Sequence, residues 1–118
     1  TDAGGVVYYA NFMRYFERAR TEWLRALGVD QSTLARDEGL IFVVRRIALE
    51  FLSAARLDDL LQVSVEVKKR GRVSLDLYQE ARVSGKTLCT ANVTIACVQQ
   101  ETFKPMAIPE FIRSRMLA

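Results

Sequence analysis

Between Tyr9 and Leu27 the chain reads YANFMRYFERARTEWLRAL, and this stretch has the spacing of an amphipathic helix. Its apolar residues recur at the intervals that place side chains on one helical face: Phe12, Phe16, Ala19, Trp23 and Leu27. Gly28 follows at the position where helices commonly end. The spacing therefore predicts a long helix over 9–27 with one face directed into a core.

Downstream of this helix the apolar period changes to the alternation typical of strands. A short helix, Asp30 to Glu38, comes first, and the alternating segments follow it: 40–52, 60–69, 73–83 and 87–99. Arg70-Gly71 and Ser84-Gly85 have the composition of tight hairpin turns, and 109–117 reads as a C-terminal helix. Strands joined by hairpins give an α+β class, in which a curled antiparallel sheet wraps the long helix.

The two faces of the predicted sheet differ in character. One face is apolar and is expected to pack on the helix: Val63, Val65, Leu75, Leu77 and Val93. The other is mixed. Its charged residues are Glu66, Lys68, Asp76 and Glu80, and its apolar residues are Phe42, Val44, Leu88, Ala96 and Val98. Because one helix cannot cover both faces, we expect the second face or a sheet edge to be buried against another subunit, in a dimer or tetramer.

Composition excludes several classes of function. The 118 residues contain no histidine, which excludes a Ser-His-Asp triad, a Cys-His pair and any histidine-ligated metal site. The net charge of +3 is too small for a dedicated nucleic-acid binder. No apolar run approaches the ~18 residues of a membrane span. The length fits one domain, 1–118.

Two cysteines, Cys89 and Cys97, fall in the same predicted strand. Along an extended strand they would lie about 26 Å apart, too far for a mutual disulfide. We expect buried free thiols in a reducing, cytoplasmic environment, with no metal and no organic cofactor.

The segment before the long helix combines features that suit acyl transfer. Gly4-Gly5 predicts a turn that lets a ligand approach the backbone, and the helix N-terminus behind it has free N–H donors. Such donors can polarise a carbonyl and hold the oxyanion that forms from it. The Asp2 carboxylate lies close enough in sequence to attack that carbonyl or to deprotonate a water that does. An aspartate near two glycines is also, and more often, a turn or cap residue, so the residues alone leave both roles open.

The opening block TDAGGVVYYANF, residues 1–12, resembles the hotdog-fold acyl-CoA thioesterases of the 4-hydroxybenzoyl-CoA thioesterase type, closest to the subgroup associated with the Tol–Pal system. The resemblance continues through FVVRR at 42–46, AARLDD at 54–59 and KPMAIP at 104–109. It implies a hotdog fold that pairs with a second subunit. In the family a further strand leads into the Asp, and because the sequence begins inside this motif, that strand is expected to be missing.

The resemblance assigns the site residues by position. Asp2 is the catalytic carboxylate, acting as nucleophile or general base, and Gly5 and Val6 contact the substrate. Tyr9 supplies the backbone N–H that polarises the thioester carbonyl. Many close relatives have His where this chain has Tyr9, so a side-chain role of that His is absent here.

One dense basic segment, Lys68 to Arg72, lies on the predicted hairpin between the second and third strands. From the residues alone it reads as a solvated turn or as a clamp for the phosphates of coenzyme A, with Arg70 and Arg72 as the candidates. In the resembling family such a hairpin lies near those phosphates, often across the subunit interface.

The sequence thus predicts hydrolysis of a short-chain, long-chain or aromatic acyl-CoA to free acid and coenzyme A. Acyl carrier protein is a second candidate for the acyl carrier. Two alternatives stay open: a non-catalytic hotdog module that binds acyl-CoA or acyl carrier protein, and a hotdog dehydratase or isomerase. Enzymes of the last kind commonly use a histidine, which this chain lacks.

Overall fold

The computed structural model describes residues 2–53 and 60–116, with side chains from Ala10 onward. The elements in this part of the chain are, in order, α1 (Asp2–Ala26), α2 (Gln31–Glu38), β1 (Leu40–Phe51), β2 (Gln62–Val63), β3 (Glu66–Arg70), β4 (Ser74–Val83), β5 (Lys86–Gln99) and α3 (Glu110–Arg115). The α+β class and the helix-then-strands order predicted from the sequence are confirmed. No helix in the described part is both long and apolar enough to cross a membrane.

Helix α1 begins at Asp2, so the turn predicted at Gly4-Gly5 and the helix start predicted at Tyr9 are wrong. Both glycines lie within the helix. A glycine costs only about 1 kcal/mol relative to alanine in a helix interior. That cost is smaller near the N-terminus, where the first four N–H groups have no intrahelical partner to lose.

The buried stripe of α1 differs in part from the predicted one. Its most buried residues recur every fourth position: Phe12, Phe16, Arg20 and Leu24. Trp23 and Leu27, predicted on the central line, pack against the edge of the core and stay partly exposed. A curled sheet contacts more than one line of helix residues, so the predicted stripe and the observed stripe share Phe12 and Phe16 and then diverge.

The strands form one antiparallel sheet in the order β1-β5-β4-β2, with β3 also paired to β4. β1 pairs with β5 along its whole length, so the first and last strands are neighbours although they are far apart in the chain. β1 and β2 lie at opposite sides of the sheet. The sheet therefore has long-range pairing that the sequence of hairpins alone does not reveal.

The predicted strand 60–69 is two shorter strands, β2 and β3, separated at Ser64. The Ser64 N–H donates to the Glu80 carbonyl at 2.9 Å, and the Glu80 N–H donates to the Ser64 hydroxyl oxygen at 3.0 Å. The serine side chain thus takes the place of a backbone acceptor in the ladder. The change from a backbone acceptor to a side-chain acceptor locally interrupts the regular pairing with β4.

The predicted inner face is confirmed for Leu75, Leu77 and Val93, which are buried against the helix. The assignment of Phe42 and Val44 to the opposite face is wrong. Their register partners in β5 are Cys97 and Ile95, which belong to the core.

A β-bulge explains the wrong assignment in β1. The register shifts between Val44 and Arg46, so the inward parity changes by one residue at this point. Phe42 lies inward before the bulge, and Ile47 and Leu49 lie inward after it. Uninterrupted alternation back from Ile47 would have placed Phe42 outward.

The C-terminal segment closes one end of the sheet. The Ile108 N–H donates to the Arg72 carbonyl at 2.9 Å, and Ile112 in α3 is fully buried. At the end of α3, the Arg115 guanidinium donates to the Leu27 carbonyl at 2.9 Å. α3 therefore joins the C-terminal end of α1 to the connection between β3 and β4.

Candidate active site

The residues predicted to carry the chemistry, Asp2, Gly5, Val6 and Tyr9, all belong to the N-terminal part of α1. Their side chains lie outside the described part of the chain, so their roles stay predictions. The backbone of α1 limits the role predicted for the Tyr9 N–H. In a regular helix each N–H bonds to the carbonyl four residues earlier, so the Tyr9 N–H is a free donor only where the helix opens before it. In the continuous α1 the free donors within the helix belong to residues 2–4.

An aromatic cluster lies next in the chain after this segment. The Phe12 ring is buried, with its centroid 6.3 Å from that of Phe16 and 5.8 Å from that of Phe51 in an edge-on contact. Phe51 and the neighbouring Leu52 are 46% and 55% exposed. Apolar surface is therefore available at the end of β1 near the N-terminal half of α1. The sequence indicated Phe12 as a core residue but did not indicate Phe51 as its partner.

The basic segment is divided by the structure into cations with partners and cations without. Lys68 Nζ lies 3.3 Å from the Glu66 carboxylate and 5.4 Å from the centroid of the Tyr78 ring. Arg70 Nη1 donates to the Met116 carbonyl at 2.7 Å, at the C-terminal cap of α3. Both side chains therefore already have partners within the chain.

Arg72 differs from these two. Its backbone carbonyl anchors Ile108, while its exposed side chain has no hydrogen-bond or ion-pair partner in the described part of the chain. Of the two arginines predicted to contact phosphates, Arg72 can do so without giving up an internal contact.

A polar group that sequence reasoning missed lies in the middle of the core. The Gln79 side chain is fully buried, accepts from Arg20 Nη1 at 2.9 Å, and donates to the carbonyls of Phe16 at 3.1 Å and Ser64 at 3.3 Å. The available signal was a glutamine at an inward position of the strand 73–83, between Leu77 and Ala81. Such a residue must find internal partners, because a buried amide without hydrogen bonds is costly.

Burial also changes the titration of the Arg20 guanidinium. Desolvation lowers its pKa from the usual value, and the nearby charge of Glu17 opposes this shift. Arginine remains charged at neutral pH despite such shifts.

The helix carboxylates have separate surroundings. Glu22 pairs with Arg25 at 2.5 Å and not with Arg18. Both Arg18 and Arg25 lie within one helical turn of Glu22, and the exposed pair one turn onward is the one that forms. Glu17 is exposed and has no salt bridge in the described part of the chain.

Both cysteines are fully buried free thiols, as predicted. Burial raises the pKa of Cys89 to about 11 and also raises the pKa of Cys97. Because the thiolate is the nucleophilic form, neither residue fits a catalytic nucleophile.

Comparison with known proteins supports the predicted family. The model of the thioesterase-like superfamily matches residues 1–116. The acyl-CoA thioesterase YbgC of Haemophilus influenzae is 42% identical over 114 residues, which cover 97% of this chain and 84% of that protein. The 1,4-dihydroxy-2-naphthoyl-CoA hydrolase of Thermosynechococcus vestitus is 30% identical over 114 residues, covering 93% and 76%. The crystal structure of a probable thioesterase from Bartonella henselae has a TM-score of 0.81 at 33% identity, covering 86% of this chain and 84% of that chain.

These similarities extend over nearly the whole chain and agree with its architecture, a long helix on an antiparallel sheet. The resemblance stated from the sequence and the predicted hotdog fold are both confirmed. The chain belongs to the thioesterase-like superfamily and has its hotdog fold.

Proposed function

We propose that this protein hydrolyses acyl-CoA thioesters to free acid and coenzyme A. The observation that carries the proposal is the position of Asp2, a carboxylate at the first residue of a 25-residue helix in a chain of the thioesterase-like superfamily. The relatives described above, an acyl-CoA thioesterase and an aromatic acyl-CoA hydrolase, support the reaction class. Short-chain, long-chain and aromatic acyl groups all remain candidate substrates.

The chemistry requires one carboxylate and one positive electrostatic site. As general base, Asp2 takes a proton from water while the water oxygen bonds to the thioester carbon. As nucleophile, Asp2 forms an anhydride that water then cleaves. In both routes the C–S bond breaks, the coenzyme A thiolate leaves and takes a proton, and a carboxylic acid remains. Neither route needs a metal ion or an organic cofactor.

The carbonyl is polarised by backbone N–H donors at the start of α1. For Tyr9 to supply this donor, residues 2–8 must leave the helical conformation in the complex with substrate. Gly4 and Gly5 lower the free-energy cost of that opening, because glycine has low helix propensity. If the helix stays closed, the donors are those of its first turn, residues 2–4. Tyr8→Pro separates these cases, since proline is tolerated at the start of a helix and not in its second turn.

Arg72 is the best candidate for contact with the phosphates of coenzyme A, and Arg70 is the second. Arg72 is exposed and lies on the β3–β4 connection, three residues after Lys69, another exposed cation. An arginine fork suits phosphate oxygens, and the second cation adds to the local positive charge. An acyl carrier protein would present a phosphopantetheine group to the same residues.

The protein is expected to act as a homo-oligomer, with a partner subunit completing the site. It is also expected to act in the cytoplasm, which fits two buried thiols that are not cross-linked.

The test is thiol release from acetyl-, butyryl-, hexanoyl-, palmitoyl- and 4-hydroxybenzoyl-CoA by the wild-type protein and two variants. Asp2→Asn should lower kcat by ~10²-fold or more, because loss of the nucleophile or base removes several kcal/mol of transition-state stabilisation. The matched control is Asp37→Asn, an exposed carboxylate of α2 that should leave kcat unchanged. Equal activity of Asp2→Asn and wild type would refute the assignment. Binding of acyl-CoA without turnover by the wild type would indicate the non-catalytic module instead.

A further inference from the structure

The hairpin that follows β5 presents one exposed aromatic residue on a strained backbone. The Gln99 N–H donates to the Lys104 carbonyl at 2.9 Å, and the Phe103 N–H donates to the Gln99 carbonyl at 2.8 Å, so the hairpin is closed. Phe103 has a φ of 59°, a left-handed conformation that is unfavourable for a residue with a Cβ atom. Its side chain is 63% exposed. Neither burial nor backbone preference therefore explains a phenylalanine at this position.

This hairpin, residues 99–104, adjoins the start of β1. Leu40, the first residue of β1, pairs with Gln99. The Gln100 N–H donates to the Gly39 carbonyl at 2.8 Å. The hairpin is therefore held at the end of the sheet from which β1 begins.

The proposed catalytic carboxylate lies toward the other end of the same sheet. The Phe12 ring contacts the Phe51 ring at the end of β1, whereas Leu24 lines a cleft with Phe42 near its start. α1 thus runs antiparallel to β1, and Asp2 at its first position lies toward the end of β1. A strand of this length spans roughly 40 Å. The hairpin of one chain is therefore remote from the Asp2 of that chain.

A second copy of the chain brings the two ends together. β1 is an edge strand, since in the described part of the chain it pairs with β5 alone. Two identical edge strands that pair antiparallel are related by a twofold axis near their middle. The start of one β1 then lies beside the end of the other. The apolar side chains at that end, Phe51 and Leu52, are exposed in the single chain.

We propose that Phe103 of one subunit packs on the apolar surface formed by Phe51 and Leu52 of the partner subunit, and so closes the apolar side of the partner's active site. The inference rests on the proposed function for the activity of that site. The contact removes two exposed apolar surfaces from water, and this gain offsets the unfavourable φ of Phe103. The occupant of the exposed end of β1 is therefore a second copy of this chain.

The position of Arg72 agrees with a site shared by two chains. The Cys97 N–H donates to the Val73 carbonyl at 2.8 Å, two residues before the hairpin begins at Gln99. Arg72 and Asp2 of one chain therefore lie near opposite ends of the 25-residue α1. In two chains paired through β1, the Arg72 of one and the Asp2 of the other lie at the same end.

The first test is cross-linking of cysteine variants with a short flexible bismaleimide, which requires no thioesterase activity. The native thiols are fully buried, so the wild-type protein gives the background. A chain with both Leu52→Cys and Phe103→Cys should form a covalent dimer. Each single variant should form none, because a twofold axis places identical positions at opposite ends of the paired strands. A double variant that stays monomeric on a denaturing gel, or a single variant that cross-links equally well, overturns the inference.

The second test measures the contribution of Phe103 to hydrolysis. Glycine adopts a positive φ without strain, so Phe103→Gly should keep the fold by circular dichroism. It should lower kcat/KM for hexanoyl-CoA by ~10-fold, the effect of losing one buried apolar contact. Phe111→Ala, a change at another exposed phenylalanine, is the matched control and should leave kcat/KM unchanged. Equal kcat/KM in Phe103→Gly and wild type contradicts the closing role.

Complementation between subunits shows whether Phe103 acts on the partner's site. Chains with Asp2→Asn and chains with Phe103→Gly are co-expressed with different affinity tags, and the mixed oligomer is purified through both. One site of each mixed dimer then combines an intact Asp2 with an intact Phe103 from the other chain, so about half of the wild-type activity should return. Activity no higher than the mean of the two separate variants overturns the inference. If the wild type hydrolyses no thioester, the proposed function fails and the cross-link alone decides.

Discussion

At the scale of single residues, Gln79 connects three parts of the fold. Its amide group bonds to Arg20 and Phe16 of α1 and to Ser64 beside β2, while the residue itself belongs to β4. A fully buried amide with three partners both fixes the helix on the sheet and makes the site sensitive to substitution.

Gln79→Leu should therefore destabilise the protein although leucine is close in size. The change leaves the Arg20 guanidinium buried without its acceptor, and we expect a loss of about 2 kcal/mol or more in the free energy of unfolding. Urea unfolding followed by circular dichroism measures it. The control is Gln62→Leu, an exposed glutamine of the same sheet. A loss no larger than that of the control would contradict the structural role assigned to Gln79.

Two glycines offer a matched pair for a second prediction. Gly28 and Gly39 both end helices with positive φ, at +83° and +68°. A Cβ atom at Gly39 would have no neighbour within 4 Å, whereas one at Gly28 would collide with the Arg115 guanidinium. Both Gly→Ala changes incur the left-handed strain, but Gly28→Ala should also displace Arg115 from the Leu27 carbonyl.

The difference between the two variants should be about 1 kcal/mol in the free energy of unfolding, the value of one hydrogen bond. Combining Gly28→Ala with Arg115→Ala checks the reason. Relative to Arg115→Ala alone, the added Gly28→Ala should cost no more than Gly39→Ala costs in the wild type. If Gly28→Ala and Gly39→Ala are equally stable, the contact between α3 and the end of α1 contributes nothing.

At the scale of secondary-structure elements, the β3–β4 connection separates a structural arginine from a candidate binding arginine. Arg70→Gln removes the bond to the Met116 carbonyl and should lower stability. Arg72→Gln should leave stability unchanged and raise KM for acyl-CoA by about 3- to 10-fold, the effect of one exposed charge contact with phosphate.

Steady-state kinetics at two salt concentrations and thermal unfolding measure both effects. The KM difference between wild type and Arg72→Gln should shrink at high salt, because exposed ionic contacts are screened. A KM effect confined to Arg70→Gln would reverse the assignment.

The outer side of β4 predicts a pH dependence. The hydroxyl of Tyr78 donates to Glu80 at 2.8 Å, and Arg82 pairs with the same carboxylate. These two contacts hold the pKa of Glu80 below its usual value, and the Glu80 contact raises the pKa of Tyr78. A lowered carboxylate pKa gives stability that is complete above the unfolded-state pKa and is lost as pH falls through the folded-state value. The raised tyrosine pKa gives stability that is lost at alkaline pH.

Glu80→Gln should therefore flatten the acid side of the stability curve. The variant should be less stable than wild type at neutral pH and should approach it as the pH falls below about 4, where the unfolded-state carboxyl is protonated. Chemical unfolding across a pH series gives the comparison. Curves that stay parallel at all pH values would show that this carboxylate does not contribute to acid sensitivity.

The elements also show which parts of the fold the sequence could predict. β4 and β5 match the predicted strands closely, because regular alternation and the Ser84-Gly85 turn, with φ of 51° and 80°, fix their register. The extent of β1 was predicted, but not which of its side chains face the core, because a bulge near Val44 leaves no signature in composition. Ser64 interrupts the next strand through a side-chain acceptor, which a hydropathy pattern does not record.

The candidate site was predictable only where a motif carries it. Asp2 and Tyr9 came from resemblance to a family, since an aspartate near two glycines has no specific spacing of its own. Arg20 and Gln79 were missed because the pairing of a helix residue with a strand residue depends on how α1 lies on the sheet. Only the inward glutamine of β4 signalled that a buried polar partner was needed.

At the scale of the whole molecule, the sheet has an uncovered edge. β1 is 12 residues long and pairs, in the described part of the chain, with β5 alone. On the face away from the helix, Ala96 and Val98 are buried while Arg46 and Asn92 are exposed, so that face is mixed in character. A long edge strand with free backbone groups is the usual place for another chain to pair. We therefore expect β1 to mediate the association of subunits.

The bulge in β1 allows this expectation to be tested without unfolding the subunit. Arg45 has no register partner in β5, so a proline there should cost the β1–β5 ladder little. The same proline removes an N–H and disturbs an edge on which a partner strand would pair. By light scattering, the wild-type protein should have a mass at least twice the 13.4 kDa of one chain, and so should the control Arg45→Ala, which keeps the N–H. Arg45→Pro should have a lower mass and an unchanged circular dichroism spectrum. A wild-type mass of one chain at micromolar concentration would refute association. An oligomer that is insensitive to Arg45→Pro would move the interface from this edge to the outer face of the sheet.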